Sequence, residues 1–581
     1  MSHHPQNPLI VQGDKSVLLE VDNPQYQPAR DMLARFAELE KSPEYVHSYR
    51  VSSLSLWNAA AAGLSAQAIL DGLDSFSKYP IPGNVRVDIV EAIARYGRVK
   101  LVKRDGQLFL VSDDVALMAE LQRRKEVRPY ILAVIDATTL RVDAAMRGHV
   151  KHALVTVGYP VEDLAGYVEG ERLAIELRDE TIAGHRFGLR PYQIDAAAVF
   201  YAGGADAGGS GVVVLPCGAG KTMVGMAAMG LVGSNTLILT PNTFSVEQWI
   251  TELLDKTTLQ PDQIGEYTGQ RKEIRPVTVS TYQTITYRRR GRAKENQGNL
   301  REDYPHFDLF DSRDWGLIIY DEVHLLPAPV FSITAELQAR RRLGLTATLV
   351  REDGREGDVF SLIGPKKFDV PWKDLERQGW IAVADCVEVR IPLPDDLRME
   401  YALADQRHKY RVAACSPSKL PVLDQLLRKH ADEQILIIGM YLDQLDQVRQ
   451  RYGFPLITGE TPARERSDLY HRFRSGEIRQ LIISKVGNFA VDLPDASVMV
   501  QISGTFGSRQ EEAQRLGRIL RPKRNGQMAH FYSLVARDTQ DQEFSANRQL
   551  FLTEQGYQYI ILYDDEVADF VPHGQATTID D

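Results

Sequence analysis

The stretch Val212–Thr222, which reads VVVLPCGAGKT, constrains this chain more than any other part of its sequence. Its first four residues are apolar and predict a short buried strand, and the run MVGMAAMGL after Thr222 predicts a helix. A glycine-rich loop between a strand and a helix lets backbone N–H groups face inward around phosphate oxygens, and the N-terminus of the helix adds a favourable field. The stretch therefore predicts a phosphate-binding loop.

Two side chains at the end of this loop complete the prediction. Lys221 would reach the β- and γ-phosphates of a nucleotide, and the hydroxyl of Thr222 would hold Mg²⁺. The other loop residues predicted to bind the nucleotide are Pro216, Cys217, Gly218, Ala219 and Gly220. A structural glycine turn followed by a chance Lys-Thr pair is the alternative, and the motifs farther along the chain argue against it.

Composition excludes several other classes of protein. The 581 residues suffice for three or four domains, and no apolar run is long enough to cross a bilayer. The first residues lack the basic-then-apolar pattern of a signal peptide, and the three cysteines are scattered, so we expect a reducing cytoplasm and no CxxC zinc site. The net charge of −10 argues against nucleic-acid binding over the whole protein surface but allows a local basic groove.

The rhythm of strands and helices predicts two α/β domains. Buried-type strands alternate with helices at 212–215, 236–240, 277–280, 317–320 and 343–345, and the same rhythm returns at 435–439, 455–458, 481–484 and 498–502. Such alternation predicts a parallel sheet covered on both faces. Before this region, two helices and a hairpin over 49–115 suggest a winged-helix-like module, and alternating apolar segments at 130–135, 154–157 and 173–177 suggest a second small α+β domain.

These patterns give a complete predicted domain organisation. It comprises an N-terminal segment (1–48), a winged-helix-like domain (49–120), a second small domain (125–180), a first α/β domain (181–360), a connector with an insertion (361–428), a second α/β domain (429–560) and an acidic tail (561–581) that is expected to fray.

The chemistry is predicted to involve the segment LIIYDEVH at 317–324. Its apolar strand ends in paired carboxylates where the carboxyl edge of the sheet would meet the phosphate loop. Asp321 would hold Mg²⁺, and Glu322 would orient and activate the attacking water. Two exposed acids after a strand would be the alternative interpretation.

Three further motifs accompany this pair. Arg190 and Gln193 lie in LRPYQ, where the glutamine amide can pair with an adenine edge and favour ATP. Thr346 and Thr348 form a hydroxyl-bearing turn that can link hydrolysis to nucleic acid. The segment QRLGRILR predicts a helix over 514–521, and it carries Gln514 together with two candidate arginine fingers, Arg518 and Arg521.

The set LPCGAGKT, DEVH, TAT and QRLGRILR resembles that of superfamily 2 helicases, whose tight phosphate loop also has no glycine at the position of Leu215. REDG at 351–354, IGPKKFDVPWKDLERQGWIA at 363–382 and ISKVGNFAVDLPDA at 483–496 resemble the XPB (xeroderma pigmentosum group B) helicases in their bacterial and archaeal branch. The resemblance is specific over about 185–535 and looser before it.

This resemblance implies a DNA-stimulated ATPase with two RecA-like motor domains that uses ATP and Mg²⁺, moves 3′→5′ and opens DNA during repair or transcription. The 125–180 segment would be a damage-recognition domain, and a nuclease or a larger repair complex would be a partner. The triplet Arg351, Glu352 and Asp353 would support unwinding. A thumb-like insertion would grip DNA phosphates, and with the basic loop after 287 it supplies the remaining candidate contacts: Arg288, Arg289, Arg398, Arg407, Lys409 and Arg411.

Other interpretations remain open from the sequence. An RNA helicase, a double-strand translocase that remodels bound proteins, and a binding module with an inactive ATPase are the alternatives, although the intact catalytic residues argue against the last. This chain also has Asn488 and Phe489 where eukaryotic members carry an Asp-Thr pair, so contacts of that pair do not transfer.

Overall fold

The computed structural model divides the chain into two compact units, one mainly of residues 1–38, 44–215 and 220–370 and the other mainly of 371–581. The structure describes residues 4–41, 45–205, 208–288, 304–327, 330, 334, 340–348, 356–484, 496–506, 508–520 and 528–572. Within that part of the chain, no helix is both long and apolar enough to cross a membrane.

The first unit begins with a small four-stranded sheet, in the order β1-β2-β4-β3. Its strands are β1 (Leu9–Val11), β2 (Ser16–Glu20), β3 (Glu38–Lys41) and β4 (Val46–Arg50), and the helices are α1 (Tyr26–Leu33), α2 (Ser53–Ala61), α3 (Ala66–Phe76) and α4 (Gly83–Arg95). The region 49–115, where two helices were predicted, contains the three helices α2 to α4, because the left-handed Gly63 and the capping residue Ser65 separate α2 from α3. Residues 1–48, predicted only as an N-terminal segment, thus contain β1, β2, α1, β3 and the first residues of β4.

A five-stranded sheet follows, in the order β7-β8-β6-β5-β9. Its strands are β5 (Lys100–Arg104), β6 (Gln107–Val111), β7 (Ile131–Asp136), β8 (Thr139–Val142) and β9 (Glu162–Leu164), and its helices are α5 (Val115–Arg123) and α6 (Arg147–Thr156). Because β6 pairs with β8, strands on both sides of the predicted boundary at 120–125 belong to one sheet. The segments 49–120 and 125–180 are therefore joined by hydrogen bonds rather than separated.

Two of the apolar segments predicted for the second small domain, 154–157 and 173–177, are not strands of its sheet. Residues 154–156 lie in α6, where Leu154 is fully buried in the core of the five-stranded sheet. The 173–177 segment forms only isolated bridges, from Arg172 to Ser234 and from Leu177 to Thr257. A short apolar run fits a helix as well as a strand, and packing against the rest of the fold decides between them.

The first motor sheet has seven parallel strands in the order β12-β13-β11-β14-β15-β10-β16. The strands are β10 (Ser210–Val214), β11 (Thr236–Thr240), β12 (Ile264–Tyr267), β13 (Val277–Thr281), β14 (Leu317–Asp321), β15 (Arg341–Thr346) and β16 (Lys366–Asp369). The helices are α7 (Pro191–Tyr201), α8 (Lys221–Val232), α9 (Thr243–Lys256), α10 (Tyr282–Ile285) and α11 (Glu356–Leu362). Most of the central strands are buried along their whole length, which explains their continuous apolar sequences.

The second unit contains another seven-stranded parallel sheet, in the order β19-β20-β18-β21-β22-β17-β23. Its strands are β17 (Ala384–Ile391), β18 (Ile435–Gly439), β19 (Leu456–Ile457), β20 (Gln480–Ser484), β21 (Val498–Gln501), β22 (Ala529–Ala536) and β23 (Tyr559–Tyr563). The helices are α12 (Trp372–Arg377), α13 (Asp395–Leu403), α14 (Gln406–Ala414), α15 (Lys419–Lys429), α16 (Leu442–Tyr452), α17 (Ala463–Arg474), α18 (Arg509–Ile519) and α19 (Gln540–Glu554).

The predicted connector at 361–428 contributes to both sheets. Strand β16 forms an edge of the first sheet, whereas β17 is an interior strand of the second. The predicted acidic tail also takes part in the second unit, since β23 extends to Tyr563 and Val567 is fully buried. Residues 573–581 lie outside the described residues.

Candidate nucleotide site and nucleic-acid contacts

The predicted phosphate loop lies between β10 and α8, as the sequence required. Gly218 and Gly220 have φ angles of 81° and 80°, and Gly220 is the residue that precedes the helix at Lys221. The φ angle of Gly220 is one that residues with a β-carbon seldom adopt, and a β-carbon there would also lie 2.4 Å from Nε2 of Gln193. The loop thus has the left-handed backbone and the helix N-terminus that a phosphate cradle uses.

Arg190 and Gln193 begin helix α7 close to this loop. The Gln193 side chain is 3% exposed, and its Oε1 accepts a hydrogen bond from the Arg190 backbone N–H at 2.9 Å. Arg190 donates from Nη1 to the Tyr192 hydroxyl at 2.9 Å. Gln193 is therefore held by the capping geometry of its helix, with its amide nitrogen directed at the loop.

The acidic pair lies at the carboxyl end of β14. Lys221 Nζ is 3.1 Å from Glu322 Oε1, so the loop lysine and the predicted catalytic carboxylate lie in contact. Glu322 has φ 47° and ψ 56°, a left-handed conformation that a non-glycine residue seldom adopts and that clusters at functional sites. The acids are thus held at the phosphate loop rather than exposed at the end of a strand.

The surroundings of Asp321 and Glu322 shift the pKa values of the two carboxyl groups in opposite directions. Burial raises the pKa of Asp321 to about 6, and the neighbouring Glu322 charge contributes to the increase. Burial also acts to raise the pKa of Glu322, but Lys221 and His324 outweigh it and hold that pKa below its ordinary value. Glu322 is therefore the carboxylate that stays ionised, which suits a group that orients water.

Two aromatic residues fix Asp321. Trp249 on α9 donates its indole N–H to Asp321 Oδ2 at 3.0 Å, and the Tyr282 hydroxyl donates to the Asp321 carbonyl oxygen at 2.9 Å. The Glu322 backbone N–H donates to Asp321 Oδ1, also at 3.0 Å. No sequence motif indicates Trp249 or Tyr282, because the order of the strands brings them to β14.

His324 connects the acidic pair with the threonine turn. Its Nδ1 lies 2.7 Å from Thr346 Oγ1 and 3.5 Å from Glu322 Oε2. Thr346 in turn donates to the Thr348 carbonyl oxygen and accepts from the Thr348 backbone N–H at 3.1 Å. The sequence analysis assigned His324 no role, although its place as the last residue of DEVH was the signal that could have identified it.

The residues at the phosphate loop and the acidic pair fit a nucleoside triphosphate with Mg²⁺. Glu322 Oε2 is buried and makes no hydrogen bond within the described residues, which leaves a carboxylate oxygen for a water molecule. The glycine cradle, Lys221 and the N-terminus of α8 suit phosphate oxygens, and the Thr222 hydroxyl and Asp321 carboxylate are oxygen ligands of the kind that Mg²⁺ takes. The described residues contain no preformed cluster of acidic, histidine or cysteine ligands that would suggest another metal.

The arginine-bearing helix is α18 in the second unit. Gln514 and Arg518 lie one turn apart on it, and Gln514 is 8% exposed with an amide oxygen that makes no hydrogen bond within the described residues. Arg515 is fully buried and donates to Gln501 Oε1, so it serves the fold. The helix ends at Ile519, two residues before the predicted end, and Arg521 lies outside the described residues.

The predicted thumb is the helix pair α13–α14. Arg398 and Arg407 are exposed, Arg411 is bound by Asp443 at 2.6 Å, and Lys409 lies 5.7 Å from the centre of the Tyr401 ring. Arg288 is exposed at the last described position before a gap. The candidates Arg289, Arg351, Glu352 and Asp353 lie outside the described residues, as do Asn488 and Phe489, and their roles stay predictions.

Two seven-stranded parallel sheets, one with a phosphate loop and a DExH pair and one with a QxxGR helix, define an RecA-like ATPase of the helicase class. The chain is 56% identical to "DNA 3'-5' helicase XPB" of Mycobacterium tuberculosis over 96% of its length and 98% of that relative's. It is 54% identical to the protein of the same name from Kineococcus radiotolerans over 97% and 98% of the two lengths. The chain therefore belongs to the XPB family of superfamily 2 helicases.

Family models and a more distant relative agree with this assignment. The model described as ERCC3/RAD25/XPB C-terminal helicase matches residues 375–577, and that of the type III restriction enzyme res subunit matches 186–351. A model called helicase conserved C-terminal domain matches 9–136, within the two small N-terminal sheets. The chain is also 34% identical to "General transcription and DNA repair factor IIH helicase/translocase subunit XPB" of Encephalitozoon cuniculi, over 96% of this chain and 83% of the relative.

Proposed function

We propose that this protein is an ATP-dependent 3′→5′ DNA helicase or translocase that opens duplex DNA, in nucleotide excision repair or a related form of DNA repair. The observation that carries the proposal is the 3.1 Å contact between Lys221 and Glu322, which unites the phosphate loop with the DExH pair. The names of the two bacterial relatives give the polarity and the substrate, DNA.

The first motor holds the groups for ATP hydrolysis. In this proposal Lys221 and the loop N–H groups bind the phosphates, and Thr222 and Asp321 would hold Mg²⁺. When bound, the metal ion neutralises charge that develops on the phosphate oxygens. Glu322 orients the attacking water and is itself kept ionised by Lys221, while Gln193 and Arg190 are the proposed contacts of the adenine end.

The remaining side chains couple hydrolysis to movement. His324 transmits a change at Glu322 to Thr346, because its ring lies beside both side chains. Arg518 and Arg521 are the proposed arginine fingers, with Gln514 beside them on the same motif. Arg288, Arg289 and the thumb residues are the proposed phosphate contacts of the DNA.

The ATPase rate of the purified full chain tests this proposal. Rates should rise with single-stranded, duplex and forked DNA and should rise much less with RNA of equal length, and a 3′-tailed duplex should be opened in preference to a 5′-tailed one. Equal stimulation by RNA would favour an RNA helicase. A rate that no nucleic acid changes would contradict both.

A second candidate function is translocation along duplex DNA without strand separation. The name of the Encephalitozoon cuniculi relative, which includes "helicase/translocase subunit", favours this candidate. Displacement of a triplex-forming third strand reports translocation, whereas displacement of a strand from a tailed duplex reports unwinding. The proposed helicase does both, and a translocase does only the first.

We further propose that the protein acts in the cytoplasm with a nuclease or a repair-complex partner. The relative in Encephalitozoon cuniculi is named as a subunit of a larger factor, and this supports a partner by analogy. Purification of the chromosomally tagged protein after DNA damage, followed by mass spectrometry, should recover one nuclease or repair protein in stoichiometric amounts. Recovery of the chain alone before and after damage would contradict a stable partner.

A further inference from the structure

A cavity of about 210 Å³ lies in the first unit at the amino end of the motor sheet, far along the strands from the phosphate loop. It is lined by the end of α2, by α6, by residues at and next to β9, by the first residue of β10 and by the segment from α11 to β16. Ser210 at its wall begins β10, and that strand ends at the phosphate loop. No residue of the cavity belongs to the nucleotide site described above.

Charged groups of both signs line this cavity, the lysines Lys151 and Lys367 and the acids Glu162 and Asp163, and two buried arginines add positive charge next to them. Asp163 is bound by Arg147 at 2.6 Å and by Lys151 at 3.1 Å, and the buried Arg342 guanidinium also acts on it. Lys151 and Asp163 line the cavity, and Arg147 and Arg342 lie behind them. Three cations thus surround one carboxylate in a region that is largely shielded from water, and such an excess of positive charge is stabilised by an anion.

A second lysine enters the cavity from β16. Lys367 lines it together with Glu162, and burial lowers the pKa of the Lys367 ammonium. The stem of Lys367 crosses the start of β10 so closely that a β-carbon at Gly211 would lie 2.4 Å from Lys367 Cγ. The absence of a side chain at Gly211 therefore leaves room for the Lys367 side chain beside β10.

Apolar and aromatic side chains also line the cavity. Ala60, Ala61 and Phe360 line it, and the rings of Tyr96 and Tyr167 stand beside the charged groups. Tyr167 is packed between the guanidinium groups of Arg147 and Arg342, which lie 5.2 Å and 5.6 Å from its ring centre. A cavity lined by apolar and aromatic side chains together with a few charged groups has the character of a small-molecule site.

We propose that this cavity binds a small phosphate monoester, with the phosphate group between Lys151 and Lys367 and the organic body against Ala60, Ala61 and Phe360. A phosphate offers several strong acceptor oxygens to these donors, and the apolar wall excludes a fully hydrated ion. Ser210 and Arg342 are paired in register at the starts of β10 and β15. The ligand would therefore contact the first motor at the ends of the strands that carry the phosphate loop and Thr346.

Calorimetric titration of the full-length Lys221→Ala protein with glycerol phosphate and with inorganic phosphate tests this proposal, since that substitution weakens phosphate binding at the nucleotide loop. Glycerol phosphate should bind, and more tightly than inorganic phosphate. In the same background Lys367→Met should weaken binding at least about tenfold, as expected when one charge-assisted contact is lost. Lys125→Met removes a lysine whose side chain is 91% exposed, and it should change nothing.

Ala61→Leu provides a test that leaves every charge in place. It should fill the apolar part of the cavity and abolish binding of glycerol phosphate, and an unchanged melting temperature verifies that the variant folds. Binding that survives both Lys367→Met and Ala61→Leu would overturn the proposal. A site that takes a 5′-phosphorylated oligonucleotide but not glycerol phosphate would also overturn it, because the source of the phosphate would then be nucleic acid.

Discussion

At the scale of single residues, Lys221 and Glu322 lie in contact, but different roles are proposed for them in ATP hydrolysis. Lys221→Ala removes phosphate neutralisation and Glu322→Gln removes the carboxylate that orients water, so each should reduce ATP turnover by about 10²–10³. Glu322→Gln should still bind ATP, because Lys221 and the loop remain. Single-turnover hydrolysis and nucleotide binding measure the two effects separately, with the exposed Glu247→Gln as the control. If Glu322→Gln hydrolyses ATP at a rate within a few-fold of the original chain, Glu322 is not the residue that orients the attacking water.

His47 gives a pH-dependent prediction in the N-terminal sheet. Burial lowers its pKa to about 4, with a further contribution from Arg30, and its Nδ1 lies 3.2 Å from the Tyr26 hydroxyl. Because the unfolded chain binds this proton more strongly, the free energy of opening β4 should be highest above pH 6.5. It should fall towards pH 4 by about 3 kcal/mol.

Hydrogen exchange of peptides that cover β4, corrected for the intrinsic effect of pH, measures this free energy. His47→Gln should remove most of the pH dependence. His408→Gln, at an exposed histidine beside Glu400 in the second unit, should leave it unchanged. Equal pH dependence in all three proteins would show that another group is responsible.

The local motifs allowed the centre of the site to be predicted from sequence, but its supports could not be. Lys221 lies in the loop after β10, and Asp321 and Glu322 lie at the end of β14. Because both positions are at the carboxyl edge of a parallel sheet, their proximity could be predicted. Trp249 donates to Asp321 from a helix 72 positions away in the chain, and only the adjacency of β11 and β14 brings them together. His324 lay inside a recognised motif, yet its two contacts depend on the neighbouring strand β15.

At the scale of elements, β16 and β17 were not predicted as strands, and the reason differs between them. Strand β17 reads ADCVEVRI and is buried almost throughout, but Glu388 within it resembles a surface residue. Its carboxylate accepts hydrogen bonds from Ser545 at 2.8 Å and Gln549 at 2.6 Å, which compensate for its burial. Strand β16 reads KKFD and is an edge strand, so it needs no continuous apolar run.

The helix pair α13–α14 provides a prediction about DNA affinity. Arg407→Ala should weaken DNA binding to a similar extent for all sequences and should reduce the slope of log affinity against log salt by about one unit, as the loss of one phosphate contact requires. Arg449→Ala on α16, whose side chain is 60% exposed, is the matched control. Fluorescence anisotropy at several salt concentrations measures both. Identical slopes for the two variants would show that Arg407 does not contact a DNA phosphate.

At the scale of the whole molecule, hydrolysis and strand separation should be separable at Arg351, Glu352 and Asp353. The triplet follows the threonine turn by two residues and is not needed for any phosphate, metal or adenine contact proposed above. Replacing all three by alanine should preserve the fold and most DNA-stimulated ATPase activity but strongly reduce the opening of a forked duplex.

Three measurements on that one variant distinguish coupling from structural support. Melting temperature, ATPase rate and forked-duplex opening would fall together if the triplet only supported the first motor, since a distorted domain distorts its nucleotide site. A selective loss of duplex opening is the expected result. Normal opening would contradict the hypothesis.

The order of strands in the second motor sheet has a consequence for biosynthesis. The last strand of the first motor sheet, β16, leaves the ribosome before β17, so the first sheet can close early. Strand β17 lies between β22 and β23, which are translated more than a hundred residues later. During that interval β17 lacks both of its neighbouring strands, so we expect the nascent second motor to expose apolar side chains that a chaperone could cover.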